Sequence, residues 1–379
     1  MFPRETELLR KIAKMPDVIV VGGGVIGLSI AWELAGQGIS VRVLEQGAFG
    51  REASWAGAGM LPPGNLAKAS TSEARLRGAT HELWPEWSKS LTSSTGVDNG
   101  YCKCGGFEVR FADSAAAPKL TEEISALRLE GVEVESENLA EIRRQIPALG
   151  SEVTSGYFLP DFCQVRNPRH VQALQTGCAD RGVELVSGAS VQRFQSLDGR
   201  IDGVEASGIV HRAAEFVIAG GAWSGGLLRQ IGIEFIIEPV KGQIVLLQAN
   251  PAPFRSVIQV GREYLVPRAD GRILIGSTEE RAGFDKRSTA AAVSELIQFA
   301  QRLVPELKSA RFEQSWAGLR PYAASGKPYI GRLPQFTNAS VATGHFRHGL
   351  HLSPVTAVLI RQILLKQPVL LPGECLGLE

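Results

Sequence analysis

The sequence predicts a mixed α/β and α+β protein in which a mainly antiparallel β domain is inserted into a Rossmann-type dinucleotide-binding domain. Three observations carry that reading. A glycine-rich turn, Gly22-x-Gly24-x-x-Gly27, joins a buried strand to a helix. Short strands joined by tight turns dominate residues 233–321, which indicates an antiparallel sheet. The length of 379 residues suits two lobes at roughly 150 residues per domain.

In chain order, residues 1–14 read as a short amphipathic helix or a frayed tail, with Leu8, Leu9 and Ile12 on one side. Asp17 to Val21 is a buried parallel strand, continuous, β-branched and bounded by glycine. From Val25 to Ala35 the apolar period becomes helical, and Gly36 and Gly38 end it. Ile39 to Leu44 is a second strand closing on Glu45, which completes a βαβ unit. Helical spacing around Leu76, Leu83 and Trp87 follows, then an alternating strand over 107–111 and a helix over 119–130. Asn167-Pro168 starts a helix, with Asn as cap and Pro at the first position, and Gly182 stops it after Asp180. Short strands over 183–186 and 190–194 precede a buried strand over 215–219, which runs into the turn Gly220-Gly221-Ala222-Trp223.

The antiparallel lobe reads as strands over 233–240, 243–248, 256–260, 263–268 and 272–277, with one helix over about 289–303. A last strand over 339–343 passes through a Gly/His-rich turn into a helix from Pro354 to Leu365. The expected division is 15–90, 164–228 and 325–372 for the dinucleotide domain, and 91–163 and 229–324 for the substrate domain.

Composition narrows the function. Forty Lys+Arg against 39 Asp+Glu leave +1, which gives no general reason to bind nucleic acid or an anionic membrane surface. No apolar run reaches the ~18 residues of a spanning helix, so no integral membrane segment is expected. Basic residues before the apolar run from Val18 mimic a signal peptide, but Glu5, Glu7 and three consecutive glycines argue against one. Glycine, at 42 residues, is well above its average share of about 7%, which suggests backbone passing close to a ligand. The five cysteines include Cys102-x-Cys104 but no zinc-ligand spacing, and read as reduced thiols in a cytoplasm.

In the glycine turn, Gly22 permits the tight bend and Gly24 lets backbone approach a pyrophosphate. Gly27 lets the helix pack against the strand, with the phosphates at the helix's positive end. Glu45, ending the second strand, is placed to accept hydrogen bonds from a ribose. These features do not separate FAD from NAD. The run of small residues Ser54-Trp55-Ala56-Gly57-Ala58-Gly59-Met60 does, because it lets backbone approach a broad planar ring.

With those motifs in hand, the chain resembles the D-amino-acid-oxidase-like family of FAD-dependent oxidoreductases, and within it the glycine-oxidase branch. The resemblance rests on GGGVIG, SWAGAGM at 54–60, AGGAWS at 219–224 and KGQI at 241–244. It extends through YLVPR from Tyr264, GRILIGST from Gly271, WAGLRP at 316–321, GKPYIGR at 326–332 and GHFRHGL at 344–350. It implies non-covalent FAD, with Val25 and Ile26 under the pyrophosphate and Glu45 and Gln46 at the adenosine ribose. Ala53, Ser54, Ala58, Gly59 and Met60 would line the flavin, and the backbone of Val191 would meet the adenine. His345, Phe346, Arg347, His348, Gly349, Leu350 and His351 would wrap the ring system. The helix from Pro354 would aim its positive end at one edge of the flavin.

The resemblance also implies an anion-clamp arginine at Arg320, a second site arginine at Arg347 and a lid-like tyrosine at Tyr264. The chemistry is compatible: a small amino acid offers little apolar area, so a bidentate guanidinium on its carboxylate must orient it. From the residues alone, either arginine could instead serve a structural ion pair, and Tyr264 could be a core aromatic. The implied reaction is oxidation of glycine, and less well of sarcosine or D-alanine, to an imine and then glyoxylate. Dioxygen would be reduced to hydrogen peroxide, in a homotetramer serving thiamine biosynthesis. Two other readings keep the fold: a dehydrogenase with a non-oxygen acceptor, and a flavin-binding assembly protein without turnover. Tyr322 departs from the small residue expected there, so the pocket entrance is expected to be narrower or differently shaped. His348 and His351 replace an amide-like and an aliphatic residue. Three histidines on one turn invite a metal reading, but their spacing gives no common face, so no metal is expected.

Overall fold

The computed structural model describes residues 15–113, 120–135 and 138–378. The expected helix or tail over 1–14 and the first residue of the expected helix over 119–130 lie outside them. Val18–Val21 is buried along its whole length and sits in the middle of a six-stranded sheet. Its neighbours are Glu215–Ile218 on one side and Val41–Leu44 on the other, both parallel. Glu184–Val186 continues the sheet beyond Val41–Leu44, and Ala339–Thr343 continues it beyond Glu215–Ile218. All of these pairs are parallel, and only Tyr329–Arg332 joins at the far edge antiparallel. A central strand covered on both faces must be apolar at every position, which is why it reads as a run of valine and isoleucine.

One face of this sheet is covered by the helices Val25–Ala35, Ser72–Thr95, Asn167–Asp180 and Ser353–Leu364, which pack against one another. Their shared core holds Leu28, Trp32, Trp84 and Trp87, with the rings of Trp32 and Trp87 edge to face at 4.8 Å. The long helix begins at Thr71, whose hydroxyl accepts from the Ala74 amide, and ends at Gly96 in the left-handed region. The opposite face is covered by an antiparallel three-stranded sheet formed by Val191–Leu197, Arg200–Ala206 and Ile209–His211.

The second large sheet has seven strands, in the order Arg311–Ala323, Ile237–Gln248, Arg272–Gly276, Glu263–Pro267, Val257–Val260, Gly106–Phe111 and Val153–Leu159. Every neighbouring pair is antiparallel except Val257–Val260 with Gly106–Phe111. The helix Ala290–Leu303 packs on one face through Leu296, Phe299 and Leu303.

Three sequence expectations change here. The strands expected over 233–240 and 243–248 form one strand, Ile237–Gln248, which runs through Gly242 without interruption. Its partner Arg311–Ala323 was not anticipated as a strand: Pro321 argues against one, but this strand lies at the sheet edge, where a proline is tolerated. Asn167 is not the cap of its helix. It is the first helical residue, and its side chain donates to the Ser54 carbonyl at 3.0 Å.

Candidate active site

A cavity of about 660 Å³ opens at the carboxyl ends of the parallel strands and extends to the edge of the seven-stranded sheet. Crevices at that end of a parallel sheet are where α/β folds bind ligands. All the sequence-nominated residues line it except Gly27. Gly27 works from behind, since a Cβ there would lie 1.9 Å from the Gly22 carbonyl oxygen. Gly22 has φ of +113°, and a Cβ on it would meet the Ala219 carbonyl oxygen at 2.3 Å. The turn therefore packs against the end of the neighbouring strand with no space for side chains.

Glu45 is buried, and it staples the turn. Its Oε2 accepts from the Gly23 amide at 2.7 Å and its Oε1 from the Gly47 amide at 2.9 Å. The remaining lone pairs of the two oxygens are its capacity for a ligand hydroxyl. The Ser54 hydroxyl accepts from the Val25 amide at 2.8 Å, which ties the run of small residues to the helix N-terminus. Asn167, which sequence reasoning assigned to capping, holds the same run through Ser54. Its Oδ1 is buried without a partner among the described residues and lies in the cavity wall. Gln46, Ala53, Ala58, Gly59, Met60 and Val191 complete this end.

At the other end Arg320 projects across its strand partner. Gly242 lies two residue pairs from it in the register, and a Cβ at Gly242 would lie 2.1–2.3 Å from the guanidinium. Arg320 donates from Nη1 to the Thr278 carbonyl at 3.1 Å and from Nη2 to the Ser277 hydroxyl at 2.7 Å. It forms no salt bridge among the described residues, although burial pulls its pKa below the ordinary guanidinium range. A guanidinium so held keeps its charge and has donors to spare. Tyr264 is buried in the cavity wall, its ring against Gly276 next to Ser277. Ser277 and Gly242 were missed as site residues: both lie inside quoted motifs, but their contact with Arg320 depends on strand register.

Arg347 differs from Arg320. It lines the cavity but is paired with the carboxylate of Glu279, which also faces Arg262 at 3.4 Å. The bond from Arg347 holds the Glu279 carboxyl below its ordinary range. Here the ion-pair reading of the residue is what the structure presents. Tyr322 is not among the residues that line the cavity but stands behind one of them. Its ring packs edge-on to Phe346 at 5.2 Å, with Arg281 over its face.

The turn 345–351, Gly349 and Leu350 included, forms the remaining wall. Phe346 has φ of +49°, a strained conformation for a bulky residue and one that concentrates at functional sites. His345 is buried against the Thr356 hydroxyl at 3.0 Å, and burial lowers its pKa to about 3. His351 is buried too; its carbonyl accepts from Thr80 at 2.7 Å and Trp84 at 2.8 Å, while its Nε2 has no partner among the described residues. His348 is exposed to the cavity. Among the described residues no group of three His, Cys, Asp or Glu side chains could hold a metal ion.

The family described as FAD dependent oxidoreductase matches residues 17–363. The chain belongs to that family. Its cofactor is FAD, and the cavity fits such a group: one end is cleared of side chains, and Asn167 Oδ1 is an unused polar atom beside it. The chain is an FAD-dependent oxidoreductase of the amino-acid-oxidase type. It is 36% identical to a glycine oxidase of Pseudomonas putida, over 94% of this chain and 97% of that one. It is 34% identical to the bifunctional protein ThiO/ThiG of Trichormus variabilis, over 93% of this chain and 53% of that longer protein. Among solved structures, the glycine oxidase of Geobacillus kaustophilus superposes with a TM-score of 0.90 at 30% identity, covering 94% of this chain and 96% of that one. No helix among the described residues is long and apolar enough to cross a membrane.

Proposed function

We propose that the protein oxidises glycine, and less efficiently sarcosine or small D-amino acids, with dioxygen as electron acceptor. FAD supplies a two-electron acceptor when bound. The glycine turn with Val25 and Ile26 would hold its pyrophosphate, Glu45 and Gln46 its ribose, and Val191 its adenine. Ala53, Ser54, Ala58, Gly59 and Met60, with the 345–351 turn, would enclose the ring system. Arg320 takes the substrate carboxylate bidentately and so sets the Cα toward the ring, while Tyr264 closes over it and excludes water. The substrate amine must be neutral when the Cα–H bond breaks, so turnover rises with pH toward the amine's own pKa. The overall change balances as glycine, O2 and water giving glyoxylate, ammonia and hydrogen peroxide.

The observation that carries this reading is Arg320, a half-buried guanidinium without a carboxylate partner among the described residues, facing the same cavity as the glycine turn. Similarity to glycine oxidases supports glycine as substrate, and similarity to the ThiO/ThiG protein supports a place in thiamine biosynthesis. The five free cysteines suit a reducing, cytoplasmic setting, and the resemblance suits a homotetramer. The test is to supply the yellow holoenzyme with glycine in air and quantify glyoxylate, ammonia and peroxide. One peroxide per glyoxylate supports the oxidase. Glyoxylate formed only with an added quinone or dye would move the assignment to a dehydrogenase.

A further inference from the structure

Cys102 and Cys104 were singled out by their spacing and have no part in the proposed reaction. Cys102–Lys103 is the edge strand of a small antiparallel sheet, paired with Cys163–Gln164. The pairing continues past the strand, as the Cys104 amide donates to the Phe162 carbonyl at 3.1 Å. Strand alternation places Cys102 and Cys104 on one face, with Lys103 and Cys163 on the other. Cys102 stands opposite Gln164 in the sheet, and the Cys104 thiol donates to the Phe162 carbonyl at 3.7 Å. Cys102 is exposed and Cys104 half-buried.

The charges around Cys102 favour its thiolate. Arg268 faces it from the neighbouring sheet, anchored to Gln164, Val165 and Ala58 by hydrogen bonds of 2.7, 3.1 and 2.7 Å. Asp98 opposes that effect. The neighbouring Cys104 thiol is the largest influence, and Cys102 is pulled down to about 7 while Cys104 is pushed up. The other three cysteines are buried. Cys163 is bonded to Asp161 and Tyr101, and Cys178 to the Leu28 carbonyl.

We infer that Cys102 and Cys104 form a peroxide-oxidisable dithiol, in which Cys102 is the attacking sulfur and Cys104 the resolving one. The Cys102 thiolate attacks one oxygen of hydrogen peroxide, the O–O bond breaks, and a sulfenic acid and hydroxide result. The Cys104 sulfur then attacks the sulfenic sulfur, a disulfide forms, and water leaves with the Cys104 proton. Two thiol sulfurs lose two electrons in total and the peroxide gains them. Residues two apart on a strand have Cα atoms about 6.6 Å apart, near the upper limit that a disulfide spans, and their Cβ atoms must close to about 4 Å, so the link requires the chain to bend at Cys104, just past the strand's end at Lys103. The oxidant can be supplied as reagent, so the inference stands whether or not the enzyme makes peroxide itself.

The test exposes reduced holoenzyme to hydrogen peroxide, quenches in denaturant with N-ethylmaleimide, and maps the peptides. The expected result is two fewer maleimides on the chain, with Cys102 and Cys104 linked within one peptide and Cys163, Cys178 and Cys375 still alkylated. Thiol loss at Cys102 should outpace that at Cys178 by more than about ten-fold. The rate should fall as pH drops below about 7. Cys104→Ser should leave a Cys102 sulfenic acid that dimedone captures, and Cys102→Ser should protect Cys104. Five maleimides retained, a link from Cys102 to Cys163, a link between two chains, or overoxidation of Cys102 in the wild type without a link would each overturn the assignment.

Discussion

The glycine-turn end of the cavity and its arginine end are built in different ways. At the first, the wall is main chain: Gly22 and Gly27 leave no space for a Cβ, and Glu45 spends a bond from each oxygen on backbone amides. At the second, the wall is side chain, with Arg320 laid over Gly242 and tied to Ser277 and Thr278 across the sheet. A backbone-built end has one conformation, so damage there should remove the cofactor and the fold together. A side-chain-built end can lose one group and keep its frame, so damage there should cost substrate affinity while the protein stays yellow.

The largest expected effect tests the first half of that contrast. Gly27→Ala places a methyl 1.9 Å from a backbone oxygen that cannot step aside. Overpacking of that kind should cost about 3 kcal/mol or more, with loss of bound flavin, read from thermal melting and the flavin-to-protein absorbance ratio. A yellow Gly27→Ala protein of wild-type stability would break the contrast.

Acid should not distinguish the two regions, because buried neutral histidines lie both at the cavity and away from it. Burial lowers His345 and His170 to about 3. For such a group the contribution to stability is complete above the unfolded value near 6.5 and is lost as pH falls toward the folded one. Below pH 6.5 each should remove about 1.4 kcal/mol of stability per pH unit. His170→Gln should flatten the fall of denaturant midpoints between pH 6.5 and 4 by about one group's share, and an unchanged slope would contradict the buried neutral assignment.

Smaller effects sharpen the second half. Ser277→Ala removes one Arg320 bond and should cost about 1–2 kcal/mol in kcat/KM for glycine, mostly through KM, with flavin content unchanged. The smallest change is expected at the rim, where Arg347 and Glu279 are both partly exposed. Glu279→Gln should alter stability by less than about 1 kcal/mol. Denaturant titration reads that change; a loss of several kcal/mol would mean that the pair is structural rather than peripheral.

The same contrast explains how much could be read from sequence. The strand, glycine turn and helix Val25–Ala35 are contiguous, and each glycine is demanded by a local clash, so the pattern survives in one short stretch. Arg320 could be nominated through its motif, but its surroundings could not. They depend on Arg311–Ala323 lying beside Ile237–Gln248, with Gly242 opposite Gly318, and neither strand was delimited correctly. Pro321 and Gly242 obscured them, because proline and glycine signal breaks except at an edge strand or a close approach. The pairing of Arg347 with Glu279 spans 68 residues and leaves no local trace. Asn167 misled for a related reason, since a residue type that caps helices here anchors the loop at Ser54 instead.

The most direct test is an anaerobic titration of Arg320→Ala and wild-type holoenzyme with glycine, following the visible absorbance of the flavin. The account predicts equal flavin content in the two proteins, and a half-bleaching glycine concentration raised more than about 100-fold in the variant. Equal glycine dependence in the two would contradict the carboxylate clamp, and loss of flavin from the variant would contradict the division of the cavity into a cofactor end and a substrate end.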